Sequence, residues 1–147
     1  MAAGTTPIFP VIPYAITSSL AAATACTTRG PTATAALAAA NILELCPVSA
    51  NGRRIDRITV QAASTAIGAP TAAQLVGIWM WDGTTAYLID EFVVTVVTPS
   101  TTAPAFTLSN TYNTLVLPAA FKLYMSTTIT TTANTTALSV SVFGGDY

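Results

Sequence analysis

The stretch LVGIWMWDGTTAYLIDEFVVTVV, Leu75–Val97, decides the predicted fold, because two apolar runs are joined there by a short polar turn. Asp82 and Gly83 stand in that turn, where glycine can take the positive φ that a tight hairpin needs. We therefore predict an antiparallel hairpin. Its expected pairs are Trp81 with Ala86, Met80 with Tyr87, Trp79 with Leu88, Ile78 with Ile89 and Leu75 with Phe92.

Alternation along this hairpin places large apolar side chains on both of its faces. One face carries Leu75, Trp79, Leu88 and Phe92, and the second carries Val76, Ile78, Met80, Tyr87 and Ile89. Because the usual antiparallel pair has one polar face, we expect protein to cover the second face as well. The cover is a second sheet, an N-terminal arm or another subunit.

The composition favours one domain that buries surface in an assembly. The 147 residues can build one core, and only 7% are charged, against about 25% in an average soluble protein. No apolar run reaches the roughly 18 residues of a membrane helix, and no signal peptide is evident, so we predict no membrane contact. A net charge of −1 gives no basic footprint for nucleic acid. Cys26 and Cys46 are predicted to be free thiols in the reducing cytosol rather than a disulfide.

Residues 1–17 are predicted to form an extended N-terminal arm, and residues 18–147 a β-sandwich domain. Prolines stand at a spacing of three, the period of polyproline II, and the segment is uncharged and apolar. We expect the arm to dock on a neighbouring subunit, with packing on its own sandwich as the alternative. Its contact candidates are Pro7, Phe9, Pro10, Ile12, Pro13 and Tyr14.

About eight short strands separated by turn signals predict an all-β fold, an antiparallel, jelly-roll-like β-sandwich. The Ala- and Thr-rich region 18–48 is predicted as two strands, although Ala35–Glu44 could form a helix. Asn51-Gly52 marks a turn before a half-exposed strand, in which Ile58 and Val60 face inwards. Phe106–Leu108 and Thr114–Leu117 are predicted as two short pieces. The last strand is predicted at Ala137–Phe143, followed by a tail.

The residues that carry chemistry are sparse. The sequence has no histidine, so the commonest general base and metal ligand is missing. Asp82 is interpreted as a turn former, and the rings of Trp79, Trp81 and Tyr87 as core first and a sugar-binding platform second. We predict that the chain is not an enzyme and binds no cofactor or metal. Arg53, Arg54 and Arg57 are either a solvated hairpin end with Asp56 as partner or a docking patch for a carboxylate-bearing partner.

Four blocks resemble a family of small tailed-bacteriophage virion proteins: NGRRIDRITVQA (51–62), IWMWDGTTAYLIDE (78–91), LVLPAAFKLYMSTT (115–128) and the ending FGGDY (143–147). Where that family has Gly then Trp, this chain has Ala120 and Phe121. The resemblance implies a virion structural protein without catalytic residues. From size and β pattern, we expect a capsid decoration, or cement, protein on the capsid surface, made in the host cytoplasm.

The expected partners are the major capsid protein and copies of the chain itself, as a homotrimer or homodimer. The contact candidates outside the arm are Arg53, Arg54, Arg57, Ile78, Met80, Tyr87 and Ile89. A tail, neck or head-fibre component and a carbohydrate-binding module are the alternatives.

Overall fold

A computed structural model describes residues 12–20, 42–63, 68–131 and 137–147. The described part contains eight strands: β1 (Ile12–Leu20), β2 (Ile42–Cys46), β3 (Arg53–Ala62), β4 (Gln74–Trp81), β5 (Ala86–Val94), β6 (Thr107–Leu117), β7 (Lys122–Thr127) and β8 (Leu138–Asp146). They form two four-stranded antiparallel sheets, ordered β1-β8-β3-β6 and β2-β7-β4-β5. The predicted all-β sandwich is confirmed.

The strands pair as one long folded ribbon. β1 pairs with β8, β2 with β7, β3 with β6 and β4 with β5, so the first half of the chain lies antiparallel to the second half. The β4–β5 hairpin closes this ribbon. Further pairing of β3 with β8 and of β4 with β7 rolls the ribbon into two sheets, which is the eight-stranded arrangement of a jelly roll.

The core lies between the sheets and follows the period of two that strands impose. Ile58 and Val60 of β3 are fully buried, as predicted, and they meet Val140 and Val142 of β8 and Phe92 of β5. The second face of the central hairpin turns towards this core, because Ile78 is fully buried and Met80 and Ile89 pack against it. Of the three covers considered, the second sheet is therefore the one that covers this face.

The predicted register of the hairpin holds only near its turn. Trp81 pairs with Ala86, Met80 with Tyr87 and Trp79 with Leu88, but a one-residue bulge then places Asp90 opposite Ile78 and Val93 opposite Leu75. The expected pairs of Ile78 with Ile89 and of Leu75 with Phe92 are wrong. The bulge turns Asp90 towards the opposite sheet, where its Oδ2 accepts hydrogen bonds from Asn110 Nδ2 at 2.7 Å and from the Tyr112 hydroxyl.

The predicted arm is also corrected. Residues Ile12–Thr17 belong to β1 and pair with Asp146 through Ser141 of β8, so the boundary at residue 17 is wrong. β1 is an edge strand, where Pro13 needs no ladder partner on its open side. Residues 1–11 lie outside the described residues.

Three other boundaries differ from the predictions or extend them. Ile42–Cys46 is a strand, which excludes a helix for Ile42–Glu44, whereas residues 21–41 lie outside the described part. The two pieces predicted around residues 106–117 form one strand, β6. Gly144–Asp146, predicted as a tail, continue β8.

Candidate functional site

The loops β2–β3 (47–52) and β6–β7 (118–121) meet at one end of the sandwich. Arg53 follows the β2–β3 loop, and Leu117 precedes the β6–β7 loop. These two residues pair with each other in the first sheet, and Asp146 lies on the other side of Arg53. The turn of the central hairpin lies at the same end, because Trp81 pairs with Lys122. We call the exposed surface formed by these two loops, the end of β6 and Tyr147 the end surface.

Two shallow depressions shape the end surface. The first has a volume of about 510 Å³ and is lined by Asn51, Gly52, Val116, Pro118 and Tyr147. The second has a volume of about 490 Å³ and is lined by Val48, Ser49, Ala50, Ala119 and Ala120. Among the described residues, those that line the two depressions have uncharged side chains. Val48 and Val116 remain 52% and 45% exposed, so the end surface presents apolar side chains to solvent.

Backbone hydrogen bonds hold the loops of the end surface in place. Asn51 Nδ2 donates to the Tyr147 carbonyl at 3.1 Å, and the Tyr147 N–H donates to the Gly52 carbonyl at 3.2 Å. Ser49 Oγ donates to the same Gly52 carbonyl at 3.1 Å. Gly52 has a φ of 89°, the positive value that the predicted Asn-Gly turn requires. The depressions are therefore built on backbone that is fixed on both sides.

Arg53 lies beneath the end surface and joins strands β1, β3 and β8 to the β2–β3 loop. Its guanidinium forms a bidentate pair with Asp146, in which Nη2 and Oδ2 are 3.0 Å apart, and its carbon lies 3.4 Å from the centre of the Tyr14 ring. Nη1 also donates to the Pro47 carbonyl at 3.3 Å. Burial would lower the pKa of Arg53, but the hydrogen bonds to Asp146 raise it above its ordinary value. The side chain is 3% exposed and serves the fold.

Cys46 lies in the same buried region and is a free thiol. Burial raises its pKa above the usual value of a thiol, so the neutral form is favoured. Burial likewise raises the pKa of Tyr14. The prediction of a free thiol is confirmed for Cys46, and Cys26 lies outside the described residues.

The predicted arginine patch is not formed. Arg53 points inwards, so it cannot receive a carboxylate from a partner. Arg54 pairs with Asp56 through Nε and Oδ1 at 2.6 Å, with both side chains about two fifths exposed, as the solvated interpretation predicted. Arg57 is exposed and its guanidinium lies 4.4 Å from the centre of the Phe143 ring. A bulge in the β3 pairing between Ile55 and Arg57 lets both Ile55 and Ile58 face the core, which leaves Arg54 and Arg57 on the outer side and Arg53 inside.

The other predicted contact residues are divided between the core and the surface. Ile78 is fully buried, and Tyr14, Met80 and Ile89 pack against the core, so these four face inwards. Ile12 is 62% exposed, Pro13 is exposed and Tyr87 is 46% exposed. Pro7, Phe9 and Pro10 lie outside the described residues.

The aromatic residues of the central hairpin do not form one platform. Trp81 is 8% exposed and packs with Ile42 and Tyr124 in a small cluster outside the main core. The neighbouring Trp79 donates its Nε1 hydrogen to Ser126 Oγ at 2.8 Å. Tyr87 donates its hydroxyl hydrogen to Asp82 Oδ2 at 3.1 Å beside the turn. The first interpretation of these rings, as core, is confirmed for Trp81; Trp79 is partly buried against the same cluster, and for Tyr87 the interpretation is wrong, because its side chain is 46% exposed beside the turn.

Five carboxylates each stabilise a different part of the fold. Asp82 accepts hydrogen bonds from the backbone N–H groups of Thr84 and Thr85 at 2.7 and 2.6 Å, which lower its pKa and confirm its role in the turn. Glu44 Oε2 is 2.8 Å from Lys122 Nζ. Asp56 forms an ion pair with Arg54, and Asp146 forms one with Arg53. Asp90 accepts hydrogen bonds from two side chains of β6. Within the described residues, no group of three or more histidine, cysteine or acidic residues could hold a metal ion.

The sequence analysis missed the end surface. Its signal is present in Pro118-Ala119-Ala120, a turn of small apolar residues where polar residues are usual, and in Val48 directly after Cys46-Pro47. Comparison with models of protein families, with curated proteins and with solved structures finds no match. In the described part, no helix has the length and apolar character needed to cross a membrane.

Proposed function

We propose that this protein is a bacteriophage virion structural protein of the capsid decoration type, which binds the outside of the head and stabilises contacts between major capsid subunits. The observation that carries the proposal is the end surface, an uncharged apolar surface on fixed backbone. Such a surface suits contact with other proteins, because its exposed apolar side chains leave water when a partner covers them. The resemblance of four sequence blocks to virion proteins supports the same function.

The β-sandwich suits this role because it resists deformation. Its two sheets share one continuous core, and buried side chains from all four strands of the ribbon's second half pack into it. A rigid sandwich loses little conformational entropy when it binds, so a modest contact can still be stable. On a head lattice, many such contacts act together and strengthen the attachment.

Two alternative functions make different use of the same fold. A tail, neck or head-fibre component would use the same kind of contact at far fewer positions. A carbohydrate-binding module would need aromatic rings exposed together, whereas Trp81 is buried and the Trp79 indole donates to Ser126. The structure offers no shared ring platform within the described residues.

Quantitative gel densitometry of purified virions tests the proposal. A decoration protein is expected at hundreds of copies per particle, and a neck or tail component at about a dozen. A cryo-EM map of the particle would place the sandwich on the outer head surface. Absence from virions together with glycan binding in solution would overturn the proposal in favour of the carbohydrate-binding module.

A further inference from the structure

The first described strand, β1, begins at the same end of the sandwich as the end surface. Ile12, the first residue of β1, pairs with Asp146, which is paired in turn with Arg53, and Arg53 with Leu117. These four residues form one row across the end of the first sheet, and Pro118 follows Leu117 directly. Ile12 therefore lies about 14 Å, or three strand spacings, from the depression beside Val116.

The chemistry of this N-terminal segment matches that of the depression. Residues 1–11 read MAAGTTPIFPV, without a charged side chain and with Pro7 and Pro10 at polyproline spacing. Extended proline-spaced segments bind in apolar grooves that carry aromatic rings. The first depression offers Val116, Pro118 and Tyr147 for such a contact, and the described residues that line it have uncharged side chains.

We propose that the end surface binds residues 1–11 of a second copy of the chain, so that neighbouring copies are joined through their N-terminal segments. The proposal rests on the proposed function for its place in a particle, while the contact itself is testable in solution. In a particle, this contact between neighbouring copies would be one of the contacts of the lattice that the proposed function requires.

The proline spacing favours a second copy over the chain's own end surface. Each proline restricts the preceding residue to extended backbone, which applies to Thr6, Phe9 and Ile12. At Ile12 the backbone of β1 runs along the strand direction, whereas the depression of the same molecule lies sideways, three strands away. Eleven residues in polyproline II span about 34 Å, which is enough to reach an adjacent molecule.

Sedimentation equilibrium of the full chain tests the contact through two variants, one on each side of it. Val116→Asp places a charge in the depression, and Phe9→Asp places one in the N-terminal segment. Each is expected to weaken self-association about tenfold or more, because a charged side chain, even one opposite Arg54 as at position 116, has to give up water when the contact forms. The matched control is Val93→Asp, at a 59% exposed position that pairs with Leu75 at the end of the hairpin opposite to its turn. This control is expected to associate like the unaltered chain.

Mixing the two defective variants shows whether the N-terminal segment binds the end surface of a second copy or that of its own molecule. The Phe9→Asp chain keeps an intact end surface and the Val116→Asp chain keeps an intact segment, so the mixture is expected to form heterodimers that neither variant forms alone. A mixture that stays monomeric, or an unaltered chain that is monomeric throughout, would overturn the proposal. Phe9 lies outside the described sandwich, so this variant remains informative if Val116→Asp fails to fold.

The outcomes also separate this proposal from the proposed function. A chain that is abundant on heads but monomeric in solution would refute the contact alone. A chain that self-associates through these residues but is missing from virions would refute the decoration function alone.

Discussion

At the scale of single residues, the sequence identified charged groups but not their surroundings. Arg53 and Arg54 are adjacent and chemically identical, yet one is buried against Asp146 and the other is exposed beside Asp56. Alternation along a strand predicts that they face opposite sides. It cannot predict that Asp146, 93 residues later, lies opposite the inward-facing one. That pairing depends on β8 lying beside β3, which is a property of the fold.

Replacing the aspartate by asparagine is expected to affect stability very differently in the two ion pairs of β3. Asp146→Asn removes the partner of a buried guanidinium and is expected to reduce the free energy of unfolding by about 3 kcal/mol. Asp56→Asn removes the partner of an exposed guanidinium and is expected to change it by no more than about 0.5 kcal/mol. Urea unfolding of both variants measures the difference. Equal effects would show that Arg53 does not depend on Asp146.

Ala120 gives a second prediction at this scale. It has a φ of 67° and is the only residue besides glycine with a positive φ in the described part of the chain. Ala120→Gly is expected to raise the free energy of unfolding by about 0.5–1 kcal/mol, because glycine takes this conformation without steric strain. The neighbouring Ala119→Gly is the control and should be neutral or destabilising. If both variants lose stability in urea unfolding, the backbone at residue 120 is not strained.

At the scale of elements, the sequence predicted strands and turns better than their registers. The Asp82-Gly83 turn and the three pairs next to it are as predicted, because local turn chemistry determines them. The bulge that follows depends on Asp90 reaching Asn110 and Tyr112 in the other sheet, a contact that no local pattern contains. The full lengths of β6 and β8 were not predicted for a similar reason. Their polar residues and glycines do not favour a strand locally, but they pair with neighbouring strands in the sheet.

Gly144 shows why the predicted tail is part of a strand. A Cβ atom at this position would lie 1.9 Å from the Arg54 carbonyl oxygen, so only glycine lets β8 approach β3. Gly144→Ala is expected to lower the free energy of unfolding by about 3 kcal/mol or more, since backbone atoms must move. Gly83→Ala is the comparison: its φ is 100°, but its Cβ would meet nothing within 4 Å, so about 1 kcal/mol is expected. Thermal unfolding that ranks Gly83→Ala as the more harmful variant would contradict this account of β8.

At the scale of the whole molecule, the central hairpin organises the fold as predicted, because it is the closed end of the ribbon. The strand count and turn signals predicted a sandwich, and the apolar second face indicated a covering layer. The end surface could not be predicted, because it combines Val48, Val116 and Tyr147, which are far apart in sequence and meet only when the ribbon rolls up. A surface built from several loops depends on which strands pair, and the sequence predicted only the fold class.

The titratable side chains of the whole chain predict that the free energy of unfolding varies little near neutral pH. The sequence contains no histidine, the side chain that ordinarily titrates between pH 5 and 8. Backbone hydrogen bonds lower the pKa of Asp82, so its contribution to stability is present above the usual aspartate pKa and is lost as the pH falls through the lowered value. Burial raises the pKa of Cys46, so its contribution is present below the usual thiol pKa and declines as the pH rises beyond it.

Neither of these windows includes pH 6–8, so the melting temperature is expected to change by less than about 2 °C across that range. It should fall below about pH 4, as Asp82 takes up a proton, and again above about pH 9, as Cys46 loses one. Circular dichroism melts at half-unit intervals, at constant ionic strength, measure this profile. A Cys46→Ser variant provides a control for the alkaline limb, which should become shallower because the titrating thiol is gone. A steep change between pH 6 and 8 would mean that another group titrates on unfolding, and the assignment of the pH dependence to Asp82 and Cys46 would be wrong.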